Sequence, residues 1–273
     1  MRVLVTGGSG FIGSTLVPAL VVSGHDVSTG DMEGCDALVH LANIAHARVP
    51  RALLWKVNVE GTRQLAERAA ASGVRRMVYL SSIKASGEES GPKPFDGSES
   101  PSPEDEYGRT KLAAEQALAE VAARSSLRVL VLRPPLVYGP GVKGNFLALM
   151  RWIARGRPLP LASIRNRRSL VYVGNLADAI VRCLERPVSG VYTLSDGTPL
   201  STPELCSEIG KALGRRARLF GFPASLLTHL PGGKRLTASL VIDDGRLRSE
   251  LGWQPPIDLH EAMRATARWY LGR

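Results

Sequence analysis

Tyr107 and Lys111 stand four residues apart in "YGRTK", and positions four apart on a helix share one face. Both side chains can therefore address one ligand. Tyr107 is the only one of the six tyrosines followed by lysine at that spacing. A phenol with a pKa near 10 is a poor base at neutral pH, but a neighbouring ammonium favours the phenolate. Such a tyrosine takes a proton from an alcohol, or returns one to a ketone, as the carbon changes oxidation state. Taken alone, the pair reads equally as two exposed residues of a helix. Upstream, "VYLSSIKASGEES" ends an apolar run in two serines, at the carboxyl edge where open α/β sheets bind ligands. Ser82 there is placed to hydrogen-bond the reacting oxygen, and its plain alternative is a serine that caps a turn.

The near N-terminal stretch "TGGSGFIG" puts Gly7, Gly10 and Gly13 at a G-x-x-G-x-x-G spacing, after a strand and before a helix. That pattern suits a tight turn, close backbone approach to a pyrophosphate, and helix N–H groups aimed at the anion. A glycine triplet is weak evidence alone, and the strand–loop–helix context gives it weight. NAD or NADP is the expected ligand, and the positive ring of an oxidised nicotinamide would further favour a Tyr107 phenolate. Asp31 lies near the distance where an acidic residue accepts hydrogen bonds from the ribose 2′-OH. It serves equally well as a turn aspartate in "GDMEG".

These residues need a scaffold of alternating strands and helices. "RVLVT", "HDVST", "DALVHLA", "RRMVYLSS" and "LRVLVLRPPLVYG" read as strands, while "STLVPALVVSG", "NVEGTRQLAERAAASG" and the stretch from Tyr107 read as helices. The alternation predicts an α/β fold, a Rossmann doubly wound parallel sheet with a smaller C-terminal substrate-binding lobe. Residues 1–140 form the NAD(P)-binding domain, with 171–190 returning to it, and 141–273 form mainly the substrate lobe. "ESGPKPFDGSESPSPEDE" reads as a long surface loop.

The 273 residues, 44% hydrophobic and 22% charged, suit a folded globular chain, and no apolar run reaches membrane-spanning length. Cys35, Cys183 and Cys206 are scattered and odd in number, without metal spacing; a reducing cytoplasm is the expected compartment, with no metal. The formal charge of +10 suggests anionic partners. Aromatic residues are 5% and show no stacking platform along a basic stripe, so a phosphorylated small molecule is expected, with neither nucleic acid nor a membrane as partner.

The set "TGGSGFIG", "HLAN", "NVEGT", "LSSIKASGE", "YGRTK", "LRPPLVYGPG" and "LGWQPP" resembles the extended short-chain dehydrogenase/reductases, specifically nucleotide-sugar epimerases and 4-keto reductases. The resemblance runs from Met1 to about Tyr270. It implies catalysis by Ser82, Tyr107 and Lys111, with Ser82 selected over Ser81 by the pattern S-S-x-x-x-x-G. It implies cofactor contacts from Gly7, Gly10, Phe11, Ile12, Gly13, Asp31, Leu41, Ala42, Asn58, Tyr107, Lys111 and Pro134. A UDP-sugar would be held by Ser82, Lys84, Asn145, Arg168 and Arg235. A homodimer through the helix after Asn58 and the helix at Tyr107 is also implied. Family dehydratases carry an Asp–Glu pair where this chain has Ile83 and Lys84, which argues against dehydration. Many 4-epimerases carry asparagine where this chain has Leu136, which points toward a hexosamine or deoxy-sugar. Epimerase and 4-keto reductase both remain open, and a non-catalytic NAD(P) sensor or scaffold is the alternative from another class.

The stretch "HDVSTGDMEGCDALVHLA" is short for this fold. In the Rossmann order the strands near Asp26 and Ala37 flank the first strand on opposite sides. Seven connecting residues reach roughly 24 Å, against a return of about 16 Å and a sideways step of about 9.6 Å. Parallel neighbours ordinarily need a crossover of a dozen or more residues. Tens of residues that the family pattern implies are therefore expected to be missing after about Ser28, either truly deleted or absent from the sequence as given; on the second option Asp31 is an adenine-side residue and the ribose reader is not among these residues.

Overall fold

In the computed structural model, β1 (Arg2–Thr6) sends Val3 and Val5 to one face of the sheet and Leu4 to the other. The same alternation runs through β3 (Ala37–His40), β4 (Arg76–Leu80) and β5 (Arg128–Arg133). Val39, Leu80 and Leu132 face one layer, while Leu38, Tyr79 and Val131 face the other. Strands apolar on both faces require cover on both. α1 (Gly13–Val22) and α6 (Val173–Glu185) cover the first; α3 (Gly61–Ala71) and α4 (Glu106–Ala123) cover the second. With β2 (Asp26–Ser28) and β8 (Gly190–Thr193), six parallel strands lie in the order β2-β1-β3-β4-β5-β8. The structure describes residues 1–45, 49–229 and 233–272.

Two expected elements have different limits. "LRVLVLRPPLVYG" is two strands, not one. Pro134 and Pro135 follow β5 and lack the N–H groups a ladder needs, and the chain leaves the large sheet there. It re-forms as β6 (Leu136–Tyr138), paired in parallel with β7 (Leu170–Tyr172) in a separate two-stranded sheet. The helix expected from Asn58 begins earlier, as α2 (Arg51–Trp55), and passes through a π-helical turn at Lys56–Glu60 into α3. That turn buries Asn58.

β6 and β7 lead into a second core, where Tyr138, Phe146, Met150, Tyr172, Ile209 and Met263 meet. Its helices include α5 (Gly144–Ala154), α7 (Thr202–Ala212) and α11 (Leu259–Leu271). α8 (Ala224–Thr228), α9 (Gly233–Thr237) and α10 (Gly245–Leu251) complete the chain's helices among the described residues. Leu247, Leu251 and Trp253 return to the core of the large sheet. Phe11 and Ile12, between the glycine loop and α1, also pack against the second core.

The connection from β2 to β3 runs unbroken through residues 29–36, and its length suffices because β2 has three residues. Ser28 is level with Leu4 and Ala37 with Val3, so the chain steps back by one residue rather than by a full strand. Only the two sideways spacings, about 9.6 Å, remain to be crossed. Met32 and Cys35, each 5% exposed, pack on the sheet beside Leu4, Leu38 and Met77. Two side chains thus seal the surface over which the crossover passes. The geometric objection falls because the return of about 16 Å that it counted is only a one-residue step.

Candidate active site

Four chain segments converge at the carboxyl ends of β1, β3 and β4. The first is the glycine loop. A Cβ on Gly13 would lie 2.3 Å from the Gly7 carbonyl oxygen, and one on Gly7, at φ +77°, 2.8 Å from the Ala42 nitrogen. These glycines let the loop fold onto itself and onto the 41–42 segment. Gly10 is different: a Cβ there would meet only the Gly7 oxygen, at 3.2 Å. It presents bare backbone. α1 begins without a side-chain cap and without an acidic residue in its first turn; the Ser14, Thr15 and Leu16 N–H groups already bond the Gly10 and Ile12 carbonyls, which leaves those of Phe11, Ile12 and Gly13 to an anion. A bare loop at an uncapped helix start fits the pyrophosphate of NAD or NADP.

Ser81 and Ser82 leave β4 in different directions. Ser81 is buried and its hydroxyl donates to Glu115. Glu115 also pairs with Arg133, which is 3% exposed and reaches Ser86 and Glu99. Ser82 is half-buried, and its hydroxyl oxygen accepts from the Lys84 N–H at 3.3 Å, capping the 3₁₀ turn Ile83–Ala85. The turn-capping role is therefore real, and the same hydroxyl keeps its proton for another acceptor. The Ile83 N–H bonds the Pro134 carbonyl at 2.9 Å, which fastens this turn to the end of β5.

α4 approaches that turn because of one glycine. A Cβ on Gly108 would sit 2.5 Å from the Lys84 carbonyl oxygen, a separation no side chain tolerates. Asp105 caps the helix, accepting from the Gly108 N–H at 2.8 Å, and Tyr107 follows in the first turn. Lys111 is 1% exposed and donates to the Leu80 carbonyl at 2.7 Å and the Tyr79 hydroxyl at 3.2 Å. Its ammonium nitrogen lies 5.9 Å from the Tyr107 ring centroid. The spacing does place both residues at one site.

Their ionisation differs from the expectation. Burial pushes the Tyr107 phenol above its ordinary range, with Asp105 adding to the rise. Burial pulls Lys111 down to about 7, opposed by Glu115. Without ligand the phenol is protonated, and Lys111 alone does not activate it. Desolvation outweighs the mutual attraction of the charged forms.

A buried polar chain ties this helix to the glycine loop. Thr6, the last residue of β1, meets His40 Nδ1 at 2.6 Å, and His40 Nε2 meets Thr62 at 3.0 Å. Thr62 donates to the Asn58 carbonyl, Asn58 Nδ2 to Thr110, and Thr110 to the Tyr107 carbonyl. Burial, with Lys111 adding, lowers His40 to about 3, so it is neutral and one ring nitrogen accepts while the other donates. Asn58 also exchanges hydrogen bonds with the Ile44 backbone. It tethers the 41–45 segment rather than facing a ligand with free groups.

The expected substrate residues divide. Lys84 bonds Glu88 at 2.7 Å and Asp105 at 2.5 Å, and Arg235 reaches the same two carboxylates at 3.5 and 3.4 Å. Arg168 donates to the Ala238 carbonyl at 2.9 Å, and burial pulls its pKa down, with Arg235 adding and Glu88 opposing. Lys84, Arg168 and Arg235 therefore converge, although they are far apart in sequence. Arg167 is exposed, whereas its neighbour Arg168 is half-buried. Asn145 lies exposed in the first turn of α5, and among the described residues no hydrogen bond or ion pair joins it to the cluster. The Asp31 carboxylate accepts from the Glu33 N–H at 3.2 Å within its own loop, as a turn aspartate does. Leu136 is 43% exposed on β6. Among the described residues no group of His, Cys, Asp and Glu could hold a metal ion.

The NAD dependent epimerase/dehydratase family matches residues 29–194. A UDP-glucose 4-epimerase of Vibrio cholerae is 35% identical over 314 residues, covering 98% of this chain and 95% of that protein. That alignment is longer than the 273 residues here, so the Vibrio protein carries tens of residues within the shared span that this chain lacks. Among solved structures, MoeE5 in complex with UDP-glucuronic acid and NAD is 26% identical with a TM-score of 0.82, over 100% of this chain and 99% of that one. RMD from Pseudomonas aeruginosa complexed with NADPH shares the fold, at 24% identity and a TM-score of 0.84 over 99% of each chain.

Proposed function

Since the chain belongs to the NAD dependent epimerase/dehydratase family, we propose that it inverts C4 of a UDP-hexose or UDP-N-acetylhexosamine. It is an enzyme of the extended short-chain dehydrogenase/reductase type, with NAD or NADP as cofactor. The observation that carries the reading is that the helix bearing Tyr107 and Lys111 is capped by Asp105, the carboxylate that Lys84 and Arg235 also engage. Lys84 and Arg235 pair with Glu88 and Asp105, and Arg168 lies within the electrostatic reach of Glu88 and Arg235. An arginine fork suits phosphate oxygens, so Arg168 and Arg235 hold the diphosphate while the sugar reaches Tyr107.

A dinucleotide held by the glycine loop would supply the acceptor and donor of the C4 hydride. Tyr107 takes the C4 hydroxyl proton as the ketone forms and returns it to the same oxygen when hydride comes back to the opposite face of C4. Ser82 donates a hydrogen bond to the same oxygen and fixes its position. Lys111, held from behind by Leu80 and Tyr79, supplies positive charge beside the phenolate. The glycine loop and the start of α1 bind the pyrophosphate of the cofactor through backbone N–H groups. A non-catalytic scaffold is not favoured, because it would not need a buried lysine behind a tyrosine.

Incubation with UDP-glucose, and separately with UDP-N-acetylglucosamine, tests the reading by following the C4 epimer in the proton NMR spectrum. Tyr107→Phe should lower the rate by about 10²–10⁴-fold while cofactor affinity stays near wild type. Consumption of NADPH by a 4-keto-6-deoxy UDP-sugar, without epimerisation of either substrate, would replace epimerase by reductase. A Tyr107→Phe variant with wild-type kcat would refute the assignment of the tyrosine.

A further inference from the structure

The charge of +10 is unevenly distributed. Residues 121–177 contain ten Lys and Arg and no Asp or Glu, and residues 209–242 contain six and none. The structure brings the two acid-free stretches together at the far end of the second lobe. Leu159 pairs with Leu219, the Phe220 N–H bonds the Leu159 carbonyl, and Arg218 reaches the Gly156 carbonyl. Trp152 and Phe220 lie in this region, 43% and 47% exposed, and the Arg157 guanidinium sits 5.2 Å from the Trp152 ring centroid. Beside them a shallow groove is lined by Lys211, Arg215, Arg216 and Arg218. Lys211 pairs with Glu208; no ion pair of the described residues engages Arg155, Arg157, Arg215, Arg216 or Arg218.

We infer that this face docks on an anionic phospholipid surface. Basic residues at helix C-termini complement the helix dipole, which accounts for Arg151 and Lys211 in the last turns of α5 and α7. It does not account for Arg157, Arg215, Arg216 and Arg218, which lie beyond the helix ends. Arginine stems that snorkel beside an exposed indole and phenyl are the composition of an interfacial contact. Single-stranded nucleic acid also uses bases and aromatics, but here one face of Trp152 already carries Arg157, and two rings make no run of platforms. Among the described residues no helix is long and apolar enough to cross a membrane, so the contact is peripheral. It revises the expectation of no membrane partner, and none of its arginines belongs to the group of Lys84, Arg168 and Arg235.

The experiment is co-sedimentation of the full chain with phosphatidylglycerol/phosphatidylcholine vesicles and with phosphatidylcholine vesicles, at low and physiological salt. Binding to the anionic vesicles alone, weakening with salt, is expected. Each arginine near an anionic surface contributes roughly fivefold. The Arg155→Gln/Arg157→Gln/Arg216→Gln variant should therefore bind on the order of a hundredfold more weakly, with catalytic rate unchanged as the check on folding. Arg216→Glu alone, expected to lose at least fivefold, serves if the triple variant does not fold. Equal binding to both vesicles, binding to neither, or binding to a single-stranded oligonucleotide but not to anionic vesicles overturns the inference.

Discussion

Lys111→Met isolates the energetic consequence of burying a lysine behind Tyr107. Lys111 falls from an ordinary 10.5 to about 7 in the folded chain, while the unfolded chain keeps the ordinary value. Between those values the unfolded state binds more protons, so stability rises with pH and is lost as pH falls. At about 1.4 kcal/mol per pH unit, the contribution between pH 7.5 and 9 is about 2 kcal/mol. Methionine fills similar volume but gives up the hydrogen bonds to Leu80 and Tyr79, each worth about 1 kcal/mol. That loss is the same at every pH. Urea unfolding of both proteins at pH 7.5 and 9 should therefore show the wild type gaining about 2 kcal/mol on the variant as pH rises. A difference that does not change with pH would mean that Lys111 keeps its ordinary ionisation in the fold. The account of an unactivated Tyr107 in the free chain would then fail with it.

Gly108→Ala should slow turnover by at least tenfold, because a Cβ 2.5 Å from the Lys84 carbonyl must push the first turn of α4 away from Ser82; unchanged kinetics would show that the approach is not needed. Arg168→Ala should raise KM for the UDP-sugar and leave cofactor affinity alone, measured by initial rates and by nucleotide titration; an unchanged KM would return Arg168 to a structural role. His40, neutral with a pKa of about 3 in the fold and near 6.5 when unfolded, gives stability that is full above pH 6.5 and lost as pH falls toward 3. About 4–5 kcal/mol is at stake. Urea unfolding should show a slope over that window that His40→Gln lacks; equal slopes would mean that the histidine titrates normally.

The site was legible in the sequence where its determinants are local. Tyr107 and Lys111 share a helix turn, the glycine loop is contiguous, and Ser82 follows its strand directly. What required the structure is whatever joins distant segments. Glu115 is one turn beyond Lys111 and visible on the same face, but its partner Arg133 comes from β5 and Ser81 from β4. Tyr79 read as a strand residue like its neighbours; only the packing of α4 on that face of the sheet sets it against Lys111. Glu88 was hidden in a loop sequence, and the chain closes it onto Arg235 from the other lobe. The expected strand "LRVLVLRPPLVYG" ignored its own prolines, which end β5 and release β6 to another sheet. The crossover reads as too short in sequence because nothing local to "HDVST" shows that β2 stops after three residues.

That crossover has a practical meaning for protein engineering. Segment 29–36 leaves the outermost strand; Met32 and Cys35 pack on the sheet and Asp36 bonds Arg2 of β1 through its N–H and its carboxylate, while Thr29 and Gly30 lie exposed ahead of them. The junction after Ser28 is thus a splice point, where a complete strand–helix unit from a longer relative can be grafted without cutting any element of the present sheet. The outer strand would gain a neighbour, and the catalytic end would keep its register because that register is held by β1, β3 and β4. The chain offers a minimal chassis on which the adenosine side of a dinucleotide site can be rebuilt as an exchangeable module.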